Sequence, residues 1–169
     1  DENGVYELYE KTKSENIDIL INNAGFGLFG NFSKTDLARE MQMVDLNVKA
    51  LHILTKLFLK DFVKKDKGYI LNVASSAGLM PGGPLMAAYY ATKAYVVSLT
   101  NSIAEELRQN GSGVSVSALC PGPVDTNFNN TAGVSFSVKP LSSADVSRYA
   151  ICKMFSKKQI IIPGVQMKC

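Results

Sequence analysis

Along the chain, short apolar runs alternate with longer stretches in which apolar residues return every three or four positions. IDILIN (17–22), YILNVA (69–74), VSVSALC (114–120) and QIIIPG (159–164) are runs of the first kind. Each is continuous or nearly so, as expected of parallel strands covered on both faces. Between them, residues 36–64 carry Leu37, Met41, Val44, Val48, Leu51, Leu54, Phe58 and Phe62 at helical spacing, which predicts a helix. A second helix is predicted from Leu85 to Gln109, stopped by Asn110-Gly111. A third covers 143–156, with Ser142 or Ser143 as N-cap. The opening DENGVYELYEKTKSEN reads as the end of a crossover helix. Alternation of this kind predicts an α/β fold, a doubly wound parallel sheet with right-handed crossovers.

Composition narrows the class. The 169 residues suffice for one domain with a sizeable core, and 46% hydrophobic with 20% charged residues is ordinary for a globular protein. Net charge is +3, with basic residues dense only at KKDK (64–67) and KK (157–158), too weak and dispersed for a nucleic-acid surface. Cys120, Cys152 and Cys169 are widely spaced, and His52 is the sole histidine, which leaves little for a zinc site. A reducing, cytoplasmic compartment is expected. Apolar runs such as LHILTKLFL (51–59) are too short and interrupted to span a bilayer, so no membrane partner is expected.

Candidate chemistry collects at the strand ends. NNAG (22–25), SSAG (75–78) and PGPVDT (121–126) all follow predicted strands, and open α/β sheets bind ligands beyond the carboxyl ends of their strands. Three small-residue turns on one rim imply a large, flat ligand lying across them. The second predicted helix brings AAYYATKAYVVS (87–98) to this rim. Tyr89 and Lys93, four residues apart, project from one helix face, whereas Tyr90 points about 100° away. A phenol titrates near pKa 10, and an ammonium beside it lowers that value by about 1–3 units, giving a proton donor and acceptor near neutral pH. Ser75 and Ser76 reach the same edge, where a hydroxyl can donate to a carbonyl oxygen or accept from an alcohol. Asn47 interrupts an apolar helical stretch between Leu46 and Val48. Such an amide faces solvent, starts a helix, or answers a local kink that holds a water.

Taken in order, NNAG, DLNV (45–48), NVASSAG (72–78), YYATK (89–93) and PGPVDT resemble the short-chain dehydrogenase/reductase family, over about Ile17 to Thr126. The resemblance implies a Rossmann-type fold and an oxidoreductase that uses NAD or NADP to interconvert a carbonyl and an alcohol. It implies a catalytic set of Asn47, a serine, Tyr89 and Lys93. Tyr89 would be the general acid/base, and Lys93 would lower its pKa and hold the nicotinamide ribose. The serine would orient the substrate oxygen, and Asn47 would position a water in a relay to Lys93. Asn23, Ala24 and Gly25 would line the cofactor beside its adenosine-proximal ribose, and Pro121, Gly122, Val124 and Thr126 its nicotinamide end. The family's Ser-x-Ala-Gly pattern selects Ser75, whereas its usual distance to the tyrosine selects Ser76. We take Ser75, because GGP (82–84) reads as a one-residue insertion that lengthens the spacing.

The segment 127–141, with Phe128, Val134 and Phe136, would cover a small hydrophobic carbonyl or alcohol substrate. The two long helical stretches carry more apolar positions than one sheet face buries, and family members pack the equivalent pair across a two-fold axis. A homo-oligomer, dimer or tetramer, is therefore expected. A second reading is a non-catalytic relative that keeps the fold for association or cofactor sensing. The family's Gly-rich pyrophosphate turn is not in the sequence. The expectation is a partial domain over 1–169, lacking two βα units and a third strand, on the order of 60–70 residues at about 30 per unit. Strand 17–22 would then be an apolar edge, and this chain would bind the dinucleotide weakly or not at all.

Overall fold

A computed structural model of the chain describes residues 2–126, 128 and 139–164. Helix α1 (Glu2–Thr12) precedes strand β1 (Ile19–Asn22). A long helical run follows in three parts: α2 (Leu37–Val44), a π-helical segment (Asp45–Ala50) and α3 (Leu51–Lys64). Next come β2 (Tyr69–Val73), a 3-10 turn (Ser76–Leu79), α4 (Ala87–Gln109) and β3 (Ser115–Leu119). The rest comprises β4 (Val124–Asp125), β5 (Leu141–Ser142), α5 (Ser143–Phe155) and β6 (Ile160–Ile161).

Strands β1, β2, β3 and β6 pair in that order, all parallel. Helices cover both faces, which is why β2 and β3 read as largely apolar runs. On one face Phe58 and Phe62 of α3 and Leu107 of α4 pack on Ile70 and Val116. On the other, Val146, Ala150 and Met154 of α5 pack on Leu71, Leu119 and Ile161. The expected doubly wound α/β sheet is present. Ser142, rather than Ser143, caps α5 by accepting from the Asp145 N–H at 3.4 Å.

A polar seam crosses the middle of this apolar sandwich. Asn22 Nδ2 donates to Thr55 Oγ1 (3.0 Å) and Asn72 Oδ1 (2.8 Å), and Asn72 Nδ2 donates to Thr100 Oγ1 (3.0 Å). All four side chains are buried. An unpaired buried donor or acceptor costs about 1–3 kcal/mol, so the seam penalises any slip of β1 against β2. It thereby fixes the strands whose ends build the site.

Three features depart from or add to the expectation. The predicted helix over 36–64 is broken by its π-helical segment. A short parallel pair not expected from the sequence joins Val124–Asp125 to Leu141–Ser142, and the turn at SSAG takes a 3-10 form that the sequence left unspecified. Among the described residues β1 has a strand on one side only. Its Ile19 and Ile21, in register with Tyr69 and Leu71, lie beyond the cover of α5 and are 39% and 45% exposed. Val134, Phe136 and Cys169 fall outside the described residues. Among the described residues no helix is long and apolar enough to cross a membrane.

Candidate active site

The site begins where β2 ends. Ser75 follows in an extended conformation, and its Oγ accepts from the Ala77 N–H at 3.1 Å, which starts the 3-10 turn. Ser76 N–H donates to the Pro121 carbonyl at 2.8 Å, tying the second small-residue turn to the third. Gly78 lets this turn press on α4, for a Cβ there would lie 2.4 Å from the Lys93 carbonyl oxygen. Backbone contact between turn and helix therefore holds Ser75 against the first turns of α4.

On that helix Tyr89 and Lys93 are 8% and 5% exposed. Lys93 Nζ donates to the Val73 carbonyl at 2.8 Å and lies 5.9 Å from the centroid of the Tyr89 ring. The helical spacing thus brings the pair together, yet the expected acidification of the phenol does not follow. Burial holds the Tyr89 pKa above the usual tyrosine value, the Ser75 hydroxyl pulls it down, and Tyr90 pushes it up. Burial also drives Lys93 down to about 8. The amine sits beside the ring and spends a hydrogen on β2, so in the protein alone desolvation outweighs charge pairing.

Asn47 occupies the middle of the π-helical segment and is 1% exposed. Its Nδ2 donates to the Phe26 carbonyl (2.8 Å) and Thr92 Oγ1 (3.2 Å), and its Oδ1 accepts from the Phe26 N–H (3.1 Å). The interrupted helical ladder therefore has a local cause: an amide turned inward to clamp the loop after NNAG. Of the alternatives open in the sequence, the buried kink is the one found.

The three turns and α4 enclose a cavity of about 460 Å³. Asn23, Gly25, Ser75, Tyr89, Lys93, Pro121, Gly122, Val124 and Thr126 line it, and so does Ser76. Ala24 and Asn47 do not, although Asn47 backs the wall: a Cβ on Gly25 would lie 2.9 Å from Asn47 Oδ1 and 3.5 Å from Lys93 Nζ. Bare backbone at Gly25 thus leaves open space beside the amine. An ammonium carries three donors; with one given to Val73, the others remain for a ligand. Sequence reasoning misses Tyr90, Met86 and Phe26, which also line the cavity, as does Phe128, expected there as substrate cover. Phe128 meets the Tyr89 ring at a centroid distance of 5.5 Å. Among the described residues Lys93 is the one charged side chain on the lining.

Known proteins resemble this chain in sequence and in fold. A model of the short chain dehydrogenase family matches residues 1–134. Oxidoreductase UcpA of Salmonella typhimurium is 41% identical over 112 residues, which cover 65% of this chain and 41% of the relative. The inactive 2-(S)-hydroxypropyl-CoM dehydrogenase 2 of Xanthobacter autotrophicus is 39% identical over 105 residues, covering 62% of this chain and 44% of that one. The short-chain dehydrogenase from Sphingobium yanoikuyae in complex with NADPH superposes with a TM-score of 0.86 at 26% identity, covering 96% of this chain and 63% of that one. The chain thus spans less than half the length of these two curated relatives.

Proposed function

Since this chain belongs to the short-chain dehydrogenase/reductase family, we propose that its protein is an NAD- or NADP-dependent oxidoreductase interconverting a carbonyl and an alcohol. One observation carries the reading: Ser75, Tyr89 and Lys93 line one cavity at the carboxyl ends of β1, β2 and β3. The nicotinamide, when bound, supplies or accepts the hydride. Asn23, Gly25, Pro121, Gly122, Val124 and Thr126 would line the dinucleotide, with Ala24 holding the turn between the first two. The spare donors of Lys93 would hold its ribose hydroxyls.

The chain's own residues handle orientation and the proton. The Ser75 hydroxyl donates to the substrate oxygen and fixes its direction. The Tyr89 phenol gives its proton to that oxygen in reduction and takes it back in oxidation. A phenol held above its usual pKa stays protonated at neutral pH, which suits the reductive direction. Asn47 positions a water that returns a proton through Lys93. Met86, Tyr90 and Phe128 give the remaining wall an apolar character suited to a small hydrophobic carbonyl compound. A cytoplasmic homo-oligomer is part of the same proposal, and so is weak dinucleotide binding by the 169-residue chain, whose sequence has no Gly-rich pyrophosphate turn.

A non-catalytic binding role is the second reading, kept because a relative at 39% identity carries the name of an inactive enzyme. Absorbance of the reduced nicotinamide, followed with the full-length protein and a panel of ketones and alcohols, separates the two. Turnover supports the oxidoreductase; dinucleotide binding with no turnover on any member supports the second reading.

A further inference from the structure

The loop from Met80 to Met86 folds back over the start of α4, and there Gly83 meets Tyr90. A Cβ on Gly83 would lie 2.4 Å from Tyr90 Cζ and 2.6 Å from the Tyr90 hydroxyl oxygen. No side chain fits at position 83 while the ring stays where it is. The neighbouring Gly82 is a different case, with a φ of +155° and open space where its Cβ would be. Gly82 answers to the backbone; Gly83 answers to Tyr90.

The ring that Gly83 admits is part of the cavity wall, packed against the cluster of Met43, Ala77, Met86 and Tyr89. Consecutive residues of a helix usually face different surroundings. Here the loop closes over both, so two phenols share one chamber, and the nearby Tyr90 influences the Tyr89 phenol electrostatically. Two other tyrosine hydroxyls have partners, Tyr9 donating to Asp61 at 2.7 Å and Tyr95 pairing with His52 Nδ1 at 2.7 Å, but neither Tyr9 nor Tyr95 lines the cavity. Among the described residues nothing hydrogen-bonds the hydroxyl of Tyr90. A half-buried phenol normally finds a partner for its polar end, and the cavity is where one can arrive.

We propose that Tyr90 is a specificity-determining residue whose hydroxyl hydrogen-bonds a second oxygen of the substrate, beyond the carbonyl that reacts at Tyr89. Gly83 holds the ring in the position that allows this. The inference rests on the carbonyl–alcohol reading above. Lys93 is the one charge on the described lining, and its donors go to Val73 and, in the reading above, to the ribose, so a carboxylate or phosphate at the Tyr90 end would lie unpaired against an apolar wall. The second oxygen therefore belongs to an uncharged hydroxyl or carbonyl. The substrate class is an apolar-bodied hydroxyketone or diketone, with the corresponding diol or hydroxyketone as alcohol partner.

The test uses the full-length protein and pairs of aryl and alkyl ketones, each ketone set against its hydroxyketone analogue, with kcat/KM measured for both. The wild-type protein favours the oxygenated member. Tyr90→Phe, which keeps the ring and removes the hydroxyl, lowers that preference about 3- to 10-fold, the worth of one neutral hydrogen bond. Gly83→Ala keeps the hydroxyl but displaces the ring, and lowers the same preference; it carries the test if Tyr90→Phe loses the fold, which thermal unfolding reports. A wild-type protein that reduces the ketones without preference overturns the inference alone, as does a folded Tyr90→Phe protein with the wild-type preference. A wild-type protein that reduces no member of any pair overturns this inference and the oxidoreductase reading together.

Discussion

Lys93 keeps its amine in a dry wall with one hydrogen bond to β2, and its pKa falls to about 8. The sign of the consequence is fixed. Below pH 8 the lysine is charged in both folded and unfolded chains, and burial of that charge opposes folding in full. Between about 8 and 10.5 the unfolded chain binds more protons, so this residue's contribution to stability rises with pH. Cys120, pushed up to about 11, and Tyr89, also raised, act in the opposite direction. Lys93→Met removes the lysine's part and leaves theirs. Denaturant unfolding from pH 7 to 10.5 should therefore show wild type gaining on the variant, by on the order of 3 kcal/mol in total. A difference independent of pH would mean that Lys93 titrates normally. The two serines make a second test at this scale. The Ser75 hydroxyl pulls the Tyr89 pKa down, so Ser75→Ala should lower kcat/KM about 100-fold. Ser76→Ala should cost less than about tenfold, and the reverse order would exchange their roles.

At the scale of elements, the π-helical segment is where the helical ladder yields to the site. Asn47 satisfies both main-chain groups of Phe26 and the hydroxyl of Thr92. Asn47→Ala would orphan both Phe26 groups, while the Thr92 hydroxyl keeps its bond to the Tyr89 carbonyl, at about 2–4 kcal/mol in urea unfolding; a loss under 0.5 kcal/mol would show that water replaces the amide readily. Apolar spacings of three and four could not reveal this segment in the sequence. They persist on either side of a one-residue widening of the ladder, and only an amide in the apolar stretch signals it. The main strands were legible for the opposite reason: β2 and β3 are covered on both faces and stay largely apolar, with only small or paired polar residues among them. The β4–β5 pair, two residues per strand, is too short to establish any period. Tyr90 escaped notice because helix geometry alone turns it away from Tyr89. The loop that brings both into one cavity is a tertiary fact, and spacing likewise reports that Lys93 is near Tyr89 without reporting how dry they are.

For the whole molecule, the sheet offers its ligand rim at one end and an apolar edge at one side. Ile19 and Ile21 stand exposed on β1, the kind of edge that pairs with further chain. The 169-residue chain should show little dinucleotide binding by calorimetry, and micromolar affinity would contradict the view that a pyrophosphate turn is needed. Sedimentation of the full-length protein should give a dimer or tetramer; a monomer at micromolar concentration would remove the proposed pairing of helices. What everything else depends on is proton transfer by one buried phenol. Tyr89→Phe in the full-length protein, with its unfolding transition intact, tests it most directly. Steady-state reduction of a ketone by the reduced nicotinamide should fall in kcat by about 100- to 10,000-fold. A folded variant that keeps kcat within about threefold of wild type would contradict the account.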